Sequence, residues 1–159
     1  MTARLATIDD AALISAIRHE ASPESVPLSE SRVAWLITVP TNVFAVATTL
    51  RAFCEIVRHE ADTEVYGLFP LTIPTSYLFP LLVTGLKEAV RRWPLAADQP
   101  IWAIFPRARD SQGRGDGGKE LCETWKARHF PNARIRRRPD GYWEISMTLR
   151  DIAAMVRRL

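Results

Sequence analysis

The first third of the chain shows the apolar spacing of helices. After a short apolar start, Thr7 stands three residues before Asp10, which is the spacing of a capping box, and apolar residues then recur at helical intervals. This pattern predicts a short first strand and a helix over residues 8–20. Ser29 can cap a second, shorter helix that ends before Pro40.

From residue 42 the pattern changes to runs of β-branched and aromatic residues. A long helical stripe follows these runs and ends in two arginines, where basic residues suit the helix dipole. Because proline is acceptable only in the first turn of a helix, Pro80 predicts that this helix starts near Leu78 or Phe79. The runs themselves predict three strands in meander order, at residues 43–46, 53–57 and 64–69.

The last third alternates strands and helices around one strong turn signal. The wholly apolar run 101–105 is typical of a strand buried on both faces. The sequence Pro139-Asp140-Gly141 predicts the turn of a closing hairpin. We expect the glycine-rich segment 111–118 to be the most mobile internal part of the chain. The remaining predicted elements are a helix, the two hairpin strands and a helical tail, at residues 119–128, 133–138, 142–149 and 150–159.

Length and composition favour one domain with its own core. The chain has 159 residues, of which 47% are hydrophobic, and we predict a single domain spanning residues 1–159. No run is long and apolar enough for a membrane span, and the N-terminus lacks the layout of a signal peptide. We therefore expect a cytoplasmic protein with no membrane partner. Cys54 and Cys122 lack the spacing of a metal site, so we expect two buried free thiols and no metal.

Charge is distributed unevenly along the chain. Residues 1–100 carry 8 Lys/Arg against 11 Asp/Glu, whereas residues 101–159 carry 13 against 7. A basic C-terminal third can meet an anion, and the arginines of 134–138 with Tyr142 and Trp143 could present basic and aromatic groups to nucleic acid. We prefer an exposed hairpin whose arginine stems cover its own aromatic rings. Nucleic acid is therefore not the expected partner.

The order of the predicted elements resembles that of the GNAT (N-acetyltransferase) superfamily. The order is strand, two helices, three strands, helix, strand, helix and two strands, and the resemblance covers residues 3–149. Three local segments also look like parts of that fold. Residues 4–11 resemble its first strand and helix cap, residues 71–74 the end of its fourth strand, and residues 144–149 its last strand. The resemblance implies an α/β (α+β) fold with a mixed, mainly antiparallel sheet flanked by helices.

The resemblance implies acetyl-CoA as the cofactor and places it at the loop before the long helix. In that superfamily an Arg/Gln-x-x-Gly-x-Gly/Ala loop turns backbone N–H groups onto the pyrophosphate. Residues 75–80 offer neither glycine nor arginine there, and Pro80 lacks an N–H. We predict that the free protein binds acetyl-CoA weakly or not at all, with the groove filled by its own side chains or by a partner. The candidate cofactor-binding residues are Ile73, Thr75, Ser76, Tyr77 and Leu78.

The candidate catalytic residues are Glu64 and Tyr66, which lie two apart and so share a face of the fourth predicted strand. The resemblance implies that a Glu on this strand acts as the base toward an acceptor amine, which makes Glu64 the candidate base. Where the family often has a Tyr as general acid, this chain has Trp125. A tryptophan cannot donate a proton in acid catalysis.

Two functions remain open at this point. The first is an acetyl-CoA-dependent N-acyltransferase that acts on a small-molecule amine or a protein amine. The second is a catalytically inactive GNAT-like scaffold with a structural or interaction role, for example a virion or assembly component of a phage. The second function implies a protein partner or a larger assembly, located in the host cytoplasm or the virion. Fold alone does not decide between them.

Overall fold

This computed structural model describes residues 2–21, 26–69, 75–105 and 117–158, in which strands and helices follow one another. The strands are β1 (Arg4–Leu5), β2 (Asn42–Ala47), β3 (Ala52–Arg58), β4 (Thr63–Phe69), β5 (Pro100–Phe105), β6 (Arg134–Arg137) and β7 (Trp143–Thr148). The helices are α1 (Ala11–Ala21), α2 (Glu30–Thr38), α3 (Thr75–Arg92), α4 (Gly117–Arg128) and α5 (Leu149–Val156).

The strands form one sheet in the order β1-β2-β3-β4-β5-β7-β6. Every neighbouring pair is antiparallel except β4 and β5, which run parallel because α3 carries the chain back between them. The sheet is therefore mixed and mainly antiparallel, as predicted. The meander of β2, β3 and β4 is confirmed, and so is the closing hairpin of β6 and β7 at one end.

Helices cover both faces of the sheet and divide the core into two layers. Along β3, Cys54 and Ile56 face α3, α4 and α5, whereas Phe53 faces α1 and α2. Gly85 allows α3 to lie close to β3, because a Cβ at that position would be 3.0 Å from Cδ1 of Ile56. Cys54 and Cys122 are buried free thiols, as predicted.

The start of α3 differs from the prediction. The helix begins at Thr75, so Pro80 lies inside it rather than in its first turn. A proline at this position removes one helical hydrogen bond, from its own missing N–H. The buried side chains of Leu78, Leu81 and Leu82 on the same helix offset that loss.

The remaining sequence predictions concern the glycine-rich segment, membrane spans and metal sites. The glycine-rich segment 111–118 lies mostly outside the described residues, which resume at Gly117. Within the described ranges, no helix combines the length and apolar character of a membrane span. The same ranges contain no group of three or more His, Cys, Asp or Glu side chains that could hold a metal ion.

Candidate functional site

The parallel ladder between β4 and β5 is short. Its last pair is Val65 with Ala103, although β4 continues to Phe69 beside β3 and β5 continues to Phe105 beside β7. The two strands therefore separate beyond Val65 and Ala103, and a wedge-shaped gap opens between them. We call this gap the β4–β5 cleft. Backbone groups along its edges have no ladder partner in the opposite strand, so they can bond to a ligand.

A β-bulge lies at the narrow end of the β4–β5 cleft. On β3, Ile56 pairs with Val65, but its neighbour Glu55 pairs with Gly67, so Tyr66 is an extra residue in β4. A bulge leaves the extra residue out of the ladder and redirects the local backbone. The bulge therefore alters the direction of the β4 backbone at the point where its pairing with β5 ends.

A buried ion pair lies beside the bulge, on the face of the sheet covered by α1 and α2. Glu55 is only 4% exposed, and Nη1 of Arg18 on α1 donates to its Oε2 at 3.2 Å. Burial raises the pKa of Glu55 to about 6, the nearby Glu64 carboxylate contributes to the increase, and Arg18 opposes it. A buried carboxylate with a raised pKa close to a cleft is typical of a functional site.

Glu64 lies on the same face, next to the end of the ladder. It is in register with Val57, which shares a face of β3 with Glu55. Its Oε2 is 3.2 Å from Nε2 of His59, and the two side chains are 17% and 48% exposed. Glu64 is thus reachable from solvent, and His59 connects it to the surface. The side chain of Tyr66 lies outside the described structure, so its catalytic role stays a prediction.

A shallow groove of about 670 Å³ lies across β5, β7 and β6. Trp102, the ladder partner of Glu64, lines it, and the guanidinium carbon of Arg138 is 5.6 Å from the centre of its ring. Arg136 and Arg138 also form ion pairs with Glu144. The guanidinium group of Arg138 therefore lies near the ring of Trp102 on β5. Positively and negatively charged side chains and one aromatic ring therefore line this groove, and the aromatic residue is the ladder partner of the candidate base.

The first turn of α3, the element that follows β4 in the chain, carries backbone donors. The first N–H groups of a helix have no partner within it, and the helix dipole makes them attractive to an anion. Because α3 begins at Thr75, the missing N–H of Pro80 does not belong to this first turn. Of the candidate cofactor residues, Tyr77 is exposed and Leu78 is buried. Ile73 and the side chains of Thr75 and Ser76 lie outside the described structure.

An aromatic cluster joins the N-terminal part of α3 to the C-terminal end of α4. The rings of Phe79 and His129 are stacked, with centroids 3.8 Å apart. Trp125 and Phe130 complete the cluster, with centroids 6.1 and 6.2 Å from that of Phe79. Burial, followed by the charge of Arg128, lowers the pKa of His129. Trp125 is buried within the cluster, so it serves packing between the two helices.

Comparison of the whole chain with known proteins identifies the fold. No family model matches the sequence, and neither does any curated protein. Among solved structures, the PaiA N-acetyltransferase from Thermoplasma acidophilum in complex with coenzyme A is similar, with a TM-score of 0.59 and 9% identity over 93% of this chain and 99% of that one. The chain has the GNAT N-acetyltransferase fold.

Two aminoglycoside acetyltransferases share the same architecture. The aminoglycoside 6′-N-acetyltransferase from Enterococcus faecium has a TM-score of 0.62 at 11% identity, covering 94% of this chain and 97% of its own. An aminoglycoside 6′-N-acetyltransferase complexed with coenzyme A has a TM-score of 0.63 at 11% identity, with the same coverage. The GNAT fold expected from the order of elements is confirmed.

Sequence reasoning missed one part of the candidate site in this GNAT fold. The run of residues 53–57 predicted a strand, but the charged residue in its middle, Glu55, was not singled out. A lone carboxylate within a strongly apolar strand is a usable signal, because such a group is rarely buried without a partner. Its partner, Arg18, is 37 positions away in the sequence and could be found only from the fold.

Proposed function

We propose that the protein is an N-acyltransferase that moves an acyl group from a coenzyme A thioester to an amine. The observation that carries this proposal is the coincidence of three features at one point. The β4–β5 ladder ends at Val65, the bulge follows at Tyr66, and the carboxylates of Glu55 and Glu64 lie beside it. The solved structures of the same fold that hold coenzyme A support the choice of donor.

The proposed transfer uses groups on both sides of the narrow end of the cleft. The thioester carbonyl oxygen accepts a hydrogen bond from backbone N–H groups at the bulge, which stabilises negative charge on that oxygen. The amine nitrogen attacks the carbonyl carbon and forms the C–N bond. The C–S bond then breaks, and sulfur leaves with the electron pair as a thiolate, which takes a proton from solvent.

Glu64 accepts the proton that the amine loses. It is partly exposed, whereas Glu55 is almost fully buried, so Glu64 is the carboxylate that an incoming amine can reach. The hydrogen bond to His59 gives the proton a route to solvent. The ion pair of Glu55 with Arg18 on α1 holds that helix against the strands at the bulge, which makes both of them positioning residues.

The donor is expected to bind weakly. Backbone N–H groups of the first turn of α3 can meet the pyrophosphate, but without glycine the side chains restrict how closely it can approach. A hydrogen bond to a charged group contributes about 1.5–3 kcal/mol, so each one lost weakens binding roughly tenfold or more. The acceptor, a small-molecule or protein amine, lies in the groove beside Trp102 and Glu64.

A catalytically inactive scaffold is the second candidate. The aromatic cluster of Phe79, Trp125, His129 and Phe130 ties α3 to α4 where a cofactor would pass between them, and Trp125 cannot replace a catalytic tyrosine. In that case the surface of the folded chain binds a protein partner or forms part of a larger assembly, such as a phage virion. Isolation of the chain in stoichiometric complex with a partner, together with no acyl transfer, would favour it.

The test is acyl transfer from a coenzyme A thioester to a panel of primary amines, followed by mass spectrometry of the acylated product. Removing a general base typically lowers a rate by about 10²–10⁴-fold, and we expect this for Glu64→Gln. Glu60→Gln is the matched control, because Glu60 is an exposed carboxylate in the turn before β4. No transfer above the uncatalysed rate, with the thioester bound, would overturn the proposal and favour the scaffold.

A further inference from the structure

A small apolar cavity lies against the end of the β4–β5 ladder, on the face opposite Glu64. Its volume is about 40 Å³. Val65 and Ala103, the last ladder pair, form the wall on the sheet side, and both pack into the core layer under α3, α4 and α5. Leu86 of α3, Trp125 of α4 and Ile152 of α5 line the other sides. The cavity therefore touches the point at which the proposed acyl transfer takes place.

The lining of this cavity is almost entirely hydrocarbon and aromatic. A water molecule needs two to four polar partners, and apolar cavities of this kind take up small apolar molecules instead. A cavity needs roughly 10–15 Å³ to hold one water molecule, so this volume of about 40 Å³ has room for about three groups of that size. The methyl group of an acetyl donor fills the space of one of them.

We propose that this cavity receives the alkyl end of the acyl group, so that the preferred donors carry three- or four-carbon chains, as in propionyl- and butyryl-CoA. The inference rests on the proposed function and specifies its donor. With the thioester carbonyl at the bulge, the amine approaches from the face of Glu64 and the alkyl chain points toward Val65 and Ala103. Each methylene moved from water into an apolar site improves affinity about fourfold.

Ala103 sets the size of the cavity in this arrangement. Its methyl group lies at the narrow end of the β4–β5 cleft, between the ladder and the helices, so a larger side chain there occupies the space of the alkyl chain. Ala103→Val adds two carbons and stays compatible with a strand. Ala34→Val is the control with the same change in size, because Ala34 lies on α2 and is partly buried against the core layer on the opposite face of the sheet.

The experiment is calorimetric titration of the folded wild-type chain with CoA and with acetyl-, propionyl-, butyryl- and hexanoyl-CoA, at concentrations up to millimolar. Affinity should rise about fourfold per methylene from acetyl- to butyryl-CoA and stop rising at hexanoyl-CoA, whose chain is too long for the cavity. Ala103→Val should remove this rise and keep acetyl-CoA affinity within about twofold of wild type. Ala34→Val should keep the wild-type series.

Three results would overturn the inference in distinguishable ways. Equal affinity for all the thioesters, or a preference for acetyl-CoA, would exclude the alkyl pocket and leave the proposed acyltransferase standing. Failure of every coenzyme A compound to bind would overturn both. A third contrary result concerns Ala103→Val. If this variant is more stable to urea and keeps the wild-type chain-length series, the cavity is a packing defect and not a binding site.

Discussion

Replacing Glu55 by glutamine should change how the stability of the protein depends on pH. Glutamine has nearly the same shape but no charge, so the substitution removes the ionisation of this one buried group. In the folded protein, burial raises the pKa of Glu55 from 4.5 to about 6. The folded state therefore holds this proton more tightly than the unfolded chain does.

The magnitude follows from the size of the shift. A raised pKa gives a stability contribution that is fully present below about pH 4.5 and is lost as the pH rises through about 6. Each pKa unit corresponds to about 1.4 kcal/mol, so the wild-type free energy of unfolding should fall by about 2 kcal/mol relative to the glutamine variant between pH 4 and pH 8. Titrating groups that do not interact with Glu55 are common to the two proteins and cancel.

Urea denaturation of both proteins at half-unit steps from pH 4 to pH 8 measures this difference. Glu88→Gln is the control of opposite sign, because hydrogen bonds from Arg91 lower the pKa of Glu88 to about 2. Its contribution is present above about pH 4.5 and is lost as the pH falls toward about 2, so the first part of this loss lies within the measured range. A Glu55→Gln difference that is independent of pH would mean that Arg18 balances burial, and one that favours the wild type at high pH would mean that Arg18 outweighs burial. Either result would refute the reasoning.

Two further predictions concern the backbone. Gly141 has φ of 87° in the turn between β6 and β7, so Gly141→Ala should lower the free energy of unfolding by about 1–2 kcal/mol, measured by urea denaturation. An unchanged midpoint would show that this turn relaxes without cost. Gly85→Val should cost about 1–3 kcal/mol in the same assay, because its side chain meets Ile56 at the contact between α3 and β3. A stable variant would mean that Ile56 moves aside freely.

Much of the fold could be predicted from local pattern because each element carries its own signal. The wholly apolar run 101–105 predicted a buried strand, and β5 lies between β4 and β7 inside the sheet. Pro139 to Gly141 predicted the closing turn through backbone requirements that no distant contact changes. The start of α3 was predicted less well, because the burial of Leu78 on that helix outweighs the local cost of Pro80.

The candidate site was predicted only in part, since its features depend on contacts between distant segments. Glu64 was identified from the sequence, whereas the bulge at Tyr66 was not, although the adjacent Gly67 inside the strand is a local signal that often marks a bulge. The pairing of Arg18 with Glu55 joins α1 to β3. The cavity beside Ala103 depends on how three helices pack over the sheet, which no periodicity encodes.

The central claim is that a coenzyme A thioester reacts at the narrow end of the β4–β5 cleft. A crystal structure of the protein soaked with a non-hydrolysable acyl-CoA analogue at millimolar concentration tests it most directly. We predict that the acyl carbonyl oxygen accepts from a backbone N–H of residues 66–68 at about 2.7–3.2 Å, with the alkyl end against Ala103. An analogue bound elsewhere on the chain, or a cleft that stays empty at that concentration, would contradict the claim.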